Sequence, residues 1–131
     1  MRTSLVLAIL LAAPPALSAT AWERIIPGAE ASAVLFTADG DVVSAGYVGD
    51  AAPYEMVVMR HSGADGAEKW RYSISSSGRS KYDSMTLVRA PGNSLVVATA
   101  TNTDHFVGSV VKLSADGAEL WRSDPVEWIG F

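Results

Sequence analysis

Short apolar runs rich in Val, Leu, Thr and aromatic residues recur along the chain, and turn signals close each of them. They predict strands at 33–36, 41–47, 56–60 and 68–74, and again at 85–89, 94–101, 109–113 and 119–123. The turn signals are "ADGD", "GADG", "APGN" and "ADG". Asp-Gly and Gly-Asn accept the positive φ of tight hairpins at low cost. No stretch holds an apolar period of 3.6 residues for a useful length, so the chain reads as all-β. In the third run of each set, "MVVM" and "SVVKL", consecutive residues are apolar, which predicts strands buried on both faces.

The two sets of four are copies. "ADGAEKWR" at 64–71 and "ADGAELWR" at 115–122 differ at one position and lie 51 residues apart. Upstream, 33–35 falls on 86–88, Val42-Val43 on Leu95-Val96 and Val57-Val58 on Val110-Val111, each at an offset of 53. The drop in offset places two extra residues in the "RHSGADG" turn of the first copy. A trace of an earlier unit remains at Trp22, 48 residues before Trp70, and predicts a lone outer strand at about 22–26. A period near fifty suits propeller blades rather than helical solenoids. Trp70 and Trp121, on the fourth strands, are expected to cover a sheet edge and pack on the next sheet.

The amino-terminal end departs from this pattern. Arg2 precedes the unbroken apolar run "LVLAILL", then Pro14 and Pro15, then the small residues of "ALSATAW". That layout predicts a secretory signal peptide over residues 1–21, cleaved after Ser18 or Ala21. The apolar run is too short to span a bilayer, so no membrane span is expected once the signal is gone. The address implied is the periplasm or exterior of a bacterium. The chain has no cysteine, so an exported product relies on packing rather than disulfides. With 10 basic against 14 acidic residues, and Arg2 lost with the leader, the surface offers no basic stripe for nucleic acid.

"TADGDVVSAGY", "VVMRHSGADGAEKW" and "VVKLSADGAELW" resemble the blades of secreted bacterial β-propellers. They look like the beta-propeller repeat family of large extracellular proteins and are also similar to quinoprotein-type (PQQ-like) repeats. The resemblance covers roughly residues 22–123. It implies two four-stranded antiparallel propeller-type blades, at about 31–74 and 84–123, plus the lone outer strand and a tail over 124–131. It also implies a non-enzymatic binding or scaffold module, meeting an unidentified protein or glycan ligand. The alternative is a remnant of a quinone-dependent dehydrogenase, which needs a full ring, an acidic calcium site and a tryptophan stacked on the cofactor. One departure is "VVATAT" where the first copy reads "VVSAGY": a glycine is lost at the end of the second strand, which should weaken the register there. Propellers close with about four to eight blades, so two blades here are expected to form an incomplete propeller, a truncated or split product. The alternative is a complete chain whose two sheets stack as a small sandwich with open faces that favour self-association.

In an up-down-up-down meander the connections after strands two and four leave on one face. Long loops on a rigid scaffold commonly carry binding, and Tyr54, Arg79, Lys81, Tyr82, Asp104 and His105 are the candidate ligand-face residues. Other chemistry is weak. Ser109-x-x-Lys112 matches a pattern that needs a helix, whereas on a strand residues three apart point to opposite faces. His61 and His105 stand in different segments and read as ordinary exposed side chains, not as metal ligands. Asp39-Gly40-Asp41 lacks the spacing and closing glutamate of a calcium loop and reads as a hairpin. The glycine and cations of "SGRSKY" open no phosphate-cradling helix. No catalytic residues, cofactor or metal are expected.

Overall fold

A computed structural model describes residues 21–49, 54–74, 84–102 and 106–128. Within them the protein is all-β. One antiparallel sheet has the order β1 (Ala29–Phe36), β2 (Val42–Val48), β3 (Glu55–His61), β4 (Glu68–Ile74). The other has the order β5 (Ser84–Ala90), β6 (Ser94–Asn102), β7 (Phe106–Leu113), β8 (Glu119–Trp128). Each is a meander of sequential neighbours, and no closed or curled sheet is seen among the described residues. Residues 22–26, expected as a lone outer strand, join neither sheet.

The shared octet is a turn followed by the start of a fourth strand. The Ser62 amide donates to the Ala67 carbonyl at 2.8 Å, and the Ser114 amide donates to the Ala118 carbonyl at the same distance. Pairing corrects the alignment of the two copies. Val42 stands opposite His61 and Leu95 stands opposite Leu113, so the second strands match at an offset of 53 and the third strands at 52. Arg60 is therefore the counterpart of Lys112, and Val57 of Ser109. Of the two extra residues in the first copy, one lies in the 62–67 turn and one in the connection after β2. The sequence favoured the other alignment, because at an offset of 53 Val57-Val58 falls on Val110-Val111, whereas the paired register sets it on Ser109-Val110.

Register also explains the lost glycine. β1 bulges between Ala31 and Ala33, and the Glu30 carbonyl then sits where a Cβ on Gly46 would stand. The corresponding β5–β6 ladder runs unbroken from Ser84–Ala100 to Ala90–Ser94, with Thr99 in the place of Gly46. The second copy lacks the glycine because it lacks the bulge, and its register is not weakened.

Directly opposed residues share a face. Leu35, Val43, Ala45, Val58, Trp70 and Ile74 line one side of the first sheet, and this side meets Met85, Leu87, Leu95, Val97, Val111 and Leu113 of the second. Val43, Val58, Ile74, Val97, Val111 and Leu113 are fully shielded from solvent, and burial of such a side chain contributes about 1.5–3 kcal/mol each. β3 is shielded on both faces from Met56 to His61, as its unbroken apolar run predicted. β7 is not: Val111 and Leu113 are buried, while Val110 and Lys112, facing the other way, are half-exposed. The difference is positional, since β3 has something packed on both sides.

The stacking has a direction. Leu95 is the register counterpart of Val42, so the side of the second sheet that enters the core corresponds to the outer side of the first. The two sheets therefore stack in the same sense rather than like face to like face.

Two tryptophans fix this arrangement. The Trp70 indole Nε1 donates to the Ala115 carbonyl at 3.0 Å, and its ring lies over Gly117 in the next turn. A Cβ on Gly117 would come within 2.7 Å of that ring, and φ there is +86°. Trp22 makes the same kind of contact on the 62–67 turn of the first sheet. Its Nε1 donates to the Gly63 carbonyl at 2.9 Å, and a Cβ on Gly66 would come within 2.5 Å of its ring. Gly66 and Gly117 thus serve both the positive φ and the close approach of an indole, whereas Gly40, in the remaining Asp-Gly turn, serves the positive φ alone.

Candidate functional site

Of the six loop residues picked out for the ligand face, only Tyr54 belongs to the described residues; Arg79, Lys81, Tyr82, Asp104 and His105 lie outside them. Tyr54 is half-buried against the core, with its ring centroid 5.8 Å from that of Tyr47 and the planes tilted by 53°. It anchors the connection after β2 to the sheet.

A concavity lies elsewhere, between the 22–26 segment and the outer side of the first sheet. Trp22 pins the start of the segment to the 62–67 turn, and the Arg24 Nε adds a 2.6 Å bond to the Gly66 carbonyl. Ile26 caps the turn into β1 through its carbonyl, which accepts from the Ala29 amide at 3.1 Å. Between these anchors the segment bridges the sheet and leaves a half-open groove of about 430 Å³. Its floor includes Gly46, Val57 and Met59, and Trp22, Ile26 and His61 form walls. The groove follows from the alternation of β2: Val42, Ser44 and Gly46 point outward, and the small Ser and Gly leave depth above β3.

His61 is not the ordinary exposed histidine that the sequence suggested. It is buried at the end of β3, with its ring 6.4 Å from that of Trp22. Pairing opposite Val42 turns it toward the groove, where the amino-terminal segment covers it. Burial holds its pKa below the usual 6.5, with the Arg24 and Arg71 cations acting in the same direction and Glu68 opposing them, so the neutral ring is favoured.

At the turn end of the stack is a polar cluster that sequence reasoning missed. Arg60 lies on the core side of β3 and is buried. Its Nε donates to Asp41 at 2.8 Å, one terminal nitrogen to Asp39 at 2.7 Å and the other to the Ala115 carbonyl at 2.8 Å. Asp41 also receives Lys69 at 2.5 Å and the Gly63 amide at 3.1 Å. Burial pushes the Asp41 carboxyl up, but hydrogen bonds from Lys69, Gly63 and Arg60 outweigh it and hold the pKa at about 2. The cluster ties three turns together, one of them in the second sheet. The second copy has Ser94 and Leu120 in place of Asp41 and Lys69, which makes the cluster specific to the first unit. The readable signal was an arginine at the end of the apolar run "MVVMRH", with an acid just after the preceding turn.

This cluster makes the fold acid-sensitive. The folded pKa of Asp41 lies below its ordinary 3.8, so the ionised group stabilises fully above that value and its contribution is lost as pH falls through about 2. Urea denaturation between about pH 5 and about pH 2 should show roughly 2 kcal/mol of acid-dependent loss that Asp41→Asn largely removes. An unchanged pH profile in that variant would contradict the assignment.

Other motifs resolve as structure. Asp39-Gly40-Asp41 is a hairpin in which the Thr37 amide donates to the Asp41 carbonyl at 2.9 Å, and both carboxylates serve Arg60. Ser109 and Lys112 pair with Thr99 and Val96, residues on opposite faces of β6, so they do not converge. Among the described residues no group of three His, Asp or Glu side chains is placed to hold a metal ion, and no helix is long and apolar enough to cross a membrane. No family model, curated protein or solved structure matches the chain.

Proposed function

We propose that the chain is an exported, non-enzymatic binding or scaffold module made of propeller-type blades. The observation that carries this reading is the repeated interlock of Trp22 with the Gly66 turn and of Trp70 with the Gly117 turn. One contact, used twice in the same sense, supports the reading that these sheets follow one another as blades do. Four-stranded meanders with tight turns at one end and longer connections at the other support it. On this reading the long connections form the ligand-bearing rim, and the stacked sheets hold them rigid.

Export is tested by producing the chain with its own leader in a bacterial host and sequencing the amino terminus of the periplasmic product. A start at Ala19 or Trp22 is expected; a product retained in the cytoplasm with Met1 or Arg2 in place would contradict it. The non-enzymatic reading is tested by titrating the purified product with pyrroloquinoline quinone and calcium. An unchanged absorbance spectrum is expected, whereas a bound, reducible chromophore would favour the dehydrogenase remnant.

A further inference from the structure

The interface between the sheets has two halves, and the molecule carries register counterparts of each, one open on the second sheet and one on the first sheet that residues 22–26 partly cover. On the first sheet the contacting side presents Leu35, Val43 and Trp70. Their register counterparts on the second sheet are Val88, Val96 and Trp121, which point away from the core. On the second sheet the contacting side presents Leu87 and Leu95, and their counterparts on the first sheet are Val34 and Val42, on the groove side. Leu35 and Leu87 pack into the core, but Val34 is 63% exposed, Val88 55% and Trp121 45%. Phe36, on the groove side with Val34, is 64% exposed. Large apolar side chains grouped in this way on a sheet face mark an interaction surface.

We propose that the uncovered side of the second sheet docks on the groove side of the first sheet of a second copy of this chain, head to tail. The inference rests on the tandem reading above. A second copy is the fitting occupant because the two open sides are register counterparts of the halves of an interface that each molecule already builds internally, with Trp121 in the place of Trp70 and valines (Val34, Val42, Val88, Val96) in the places of Leu87, Leu95, Leu35 and Val43. Such a contact is heterologous: it closes into a ring if the rotation allows and otherwise extends as a filament. The amino-terminal segment controls access. Trp22 holds the turn site on the first sheet that Trp121 of an incoming copy takes, so docking exchanges one indole for the other. Lys112, the counterpart of Arg60, then lies where Arg60 lies against the Ala115 carbonyl, facing the 62–67 turn of the new neighbour.

Sedimentation velocity on the exported chain tests this with Val34→Asp and Val88→Asp. Both positions are exposed and outside the core, so each variant should keep the monomer fold. Each alone should weaken self-association at least about tenfold, because a carboxylate is then carried into an apolar contact. An equimolar mixture should restore a one-to-one dimer, since V34D keeps an intact second-sheet side and V88D an intact first-sheet side. Trp22→Ala should strengthen association several-fold by vacating the turn site. Overturning results are a mixture that fails to pair, a single variant that associates like the parent chain, weaker association of W22A, or a W22A chain monomeric at every concentration. These outcomes leave the internal stacking untouched, because that depends on Trp70 and Gly117.

Discussion

Trp70→Ala is expected to lower stability by about 3 kcal/mol in urea denaturation, whereas Trp121→Ala should cost under about 1 kcal/mol. The two residues occupy the same place in nearly identical octets, so local sequence predicts equal effects. Their surroundings differ. Trp70 lies on the Gly117 turn, donates to the Ala115 carbonyl and packs against the shared core. Trp121 stands on the open side of the second sheet, 45% exposed. Removing Trp70 takes away apolar burial across the sheet-to-sheet contact and leaves the Ala115 carbonyl with Arg60 alone. Gly117→Ala attacks the same contact from the other side, where the added methyl meets the indole at a φ of +86°, and it should not add its full cost to Trp70→Ala. Equal losses at Trp70 and Trp121 would mean that each tryptophan serves only its own sheet.

A comparable loss, about 3–5 kcal/mol, is expected for Arg60→Met. Methionine keeps the apolar stem and loses the guanidinium, so the main consequence is electrostatic: Asp41 stays buried with Lys69 and the Gly63 amide but without its guanidinium, and the bond to Ala115 is gone. Breaking a buried pair from one side costs more than removing both partners. The double variant Arg60→Met with Asp41→Leu should therefore recover part of the loss, and its stability should no longer fall between pH 4 and pH 2 in the way the parent's does. Lys112→Met, at the matching position of the second unit, is expected to change stability by less than about 0.5 kcal/mol. If Arg60→Met were equally mild, the cluster would be a surface ornament rather than a tie between the turns.

Strands and turns were largely legible in the sequence because they depend on nearest neighbours: β4 runs over Glu68–Ile74 as its residues and the preceding Asp-Gly require. Other features depended on what lies across a gap. His61 reads as an ordinary polar residue, and only the strand parity of β3 together with the path of residues 22–26 buries it under Trp22. Arg60, Asp41 and Lys69 are separated along the chain and are joined only by the turn end of the sheet. Gly46 was noticed, but its reason, the bulge at Ala31 on the directly paired strand, leaves no mark in composition. The groove was invisible for the same reason, since it is a space between a segment and a sheet rather than a property of either.

The tandem claim can be read directly from the α-protons of Gly117 in a proton–carbon correlation spectrum. With the Trp70 ring lying where a Cβ would stand, at least one of them should be shifted strongly upfield, with cross-relaxation to the indole, and Trp70→Leu should return it to an ordinary position. Ordinary Gly117 shifts in the parent chain, with Trp70 in contact only with its own sheet, would contradict the account.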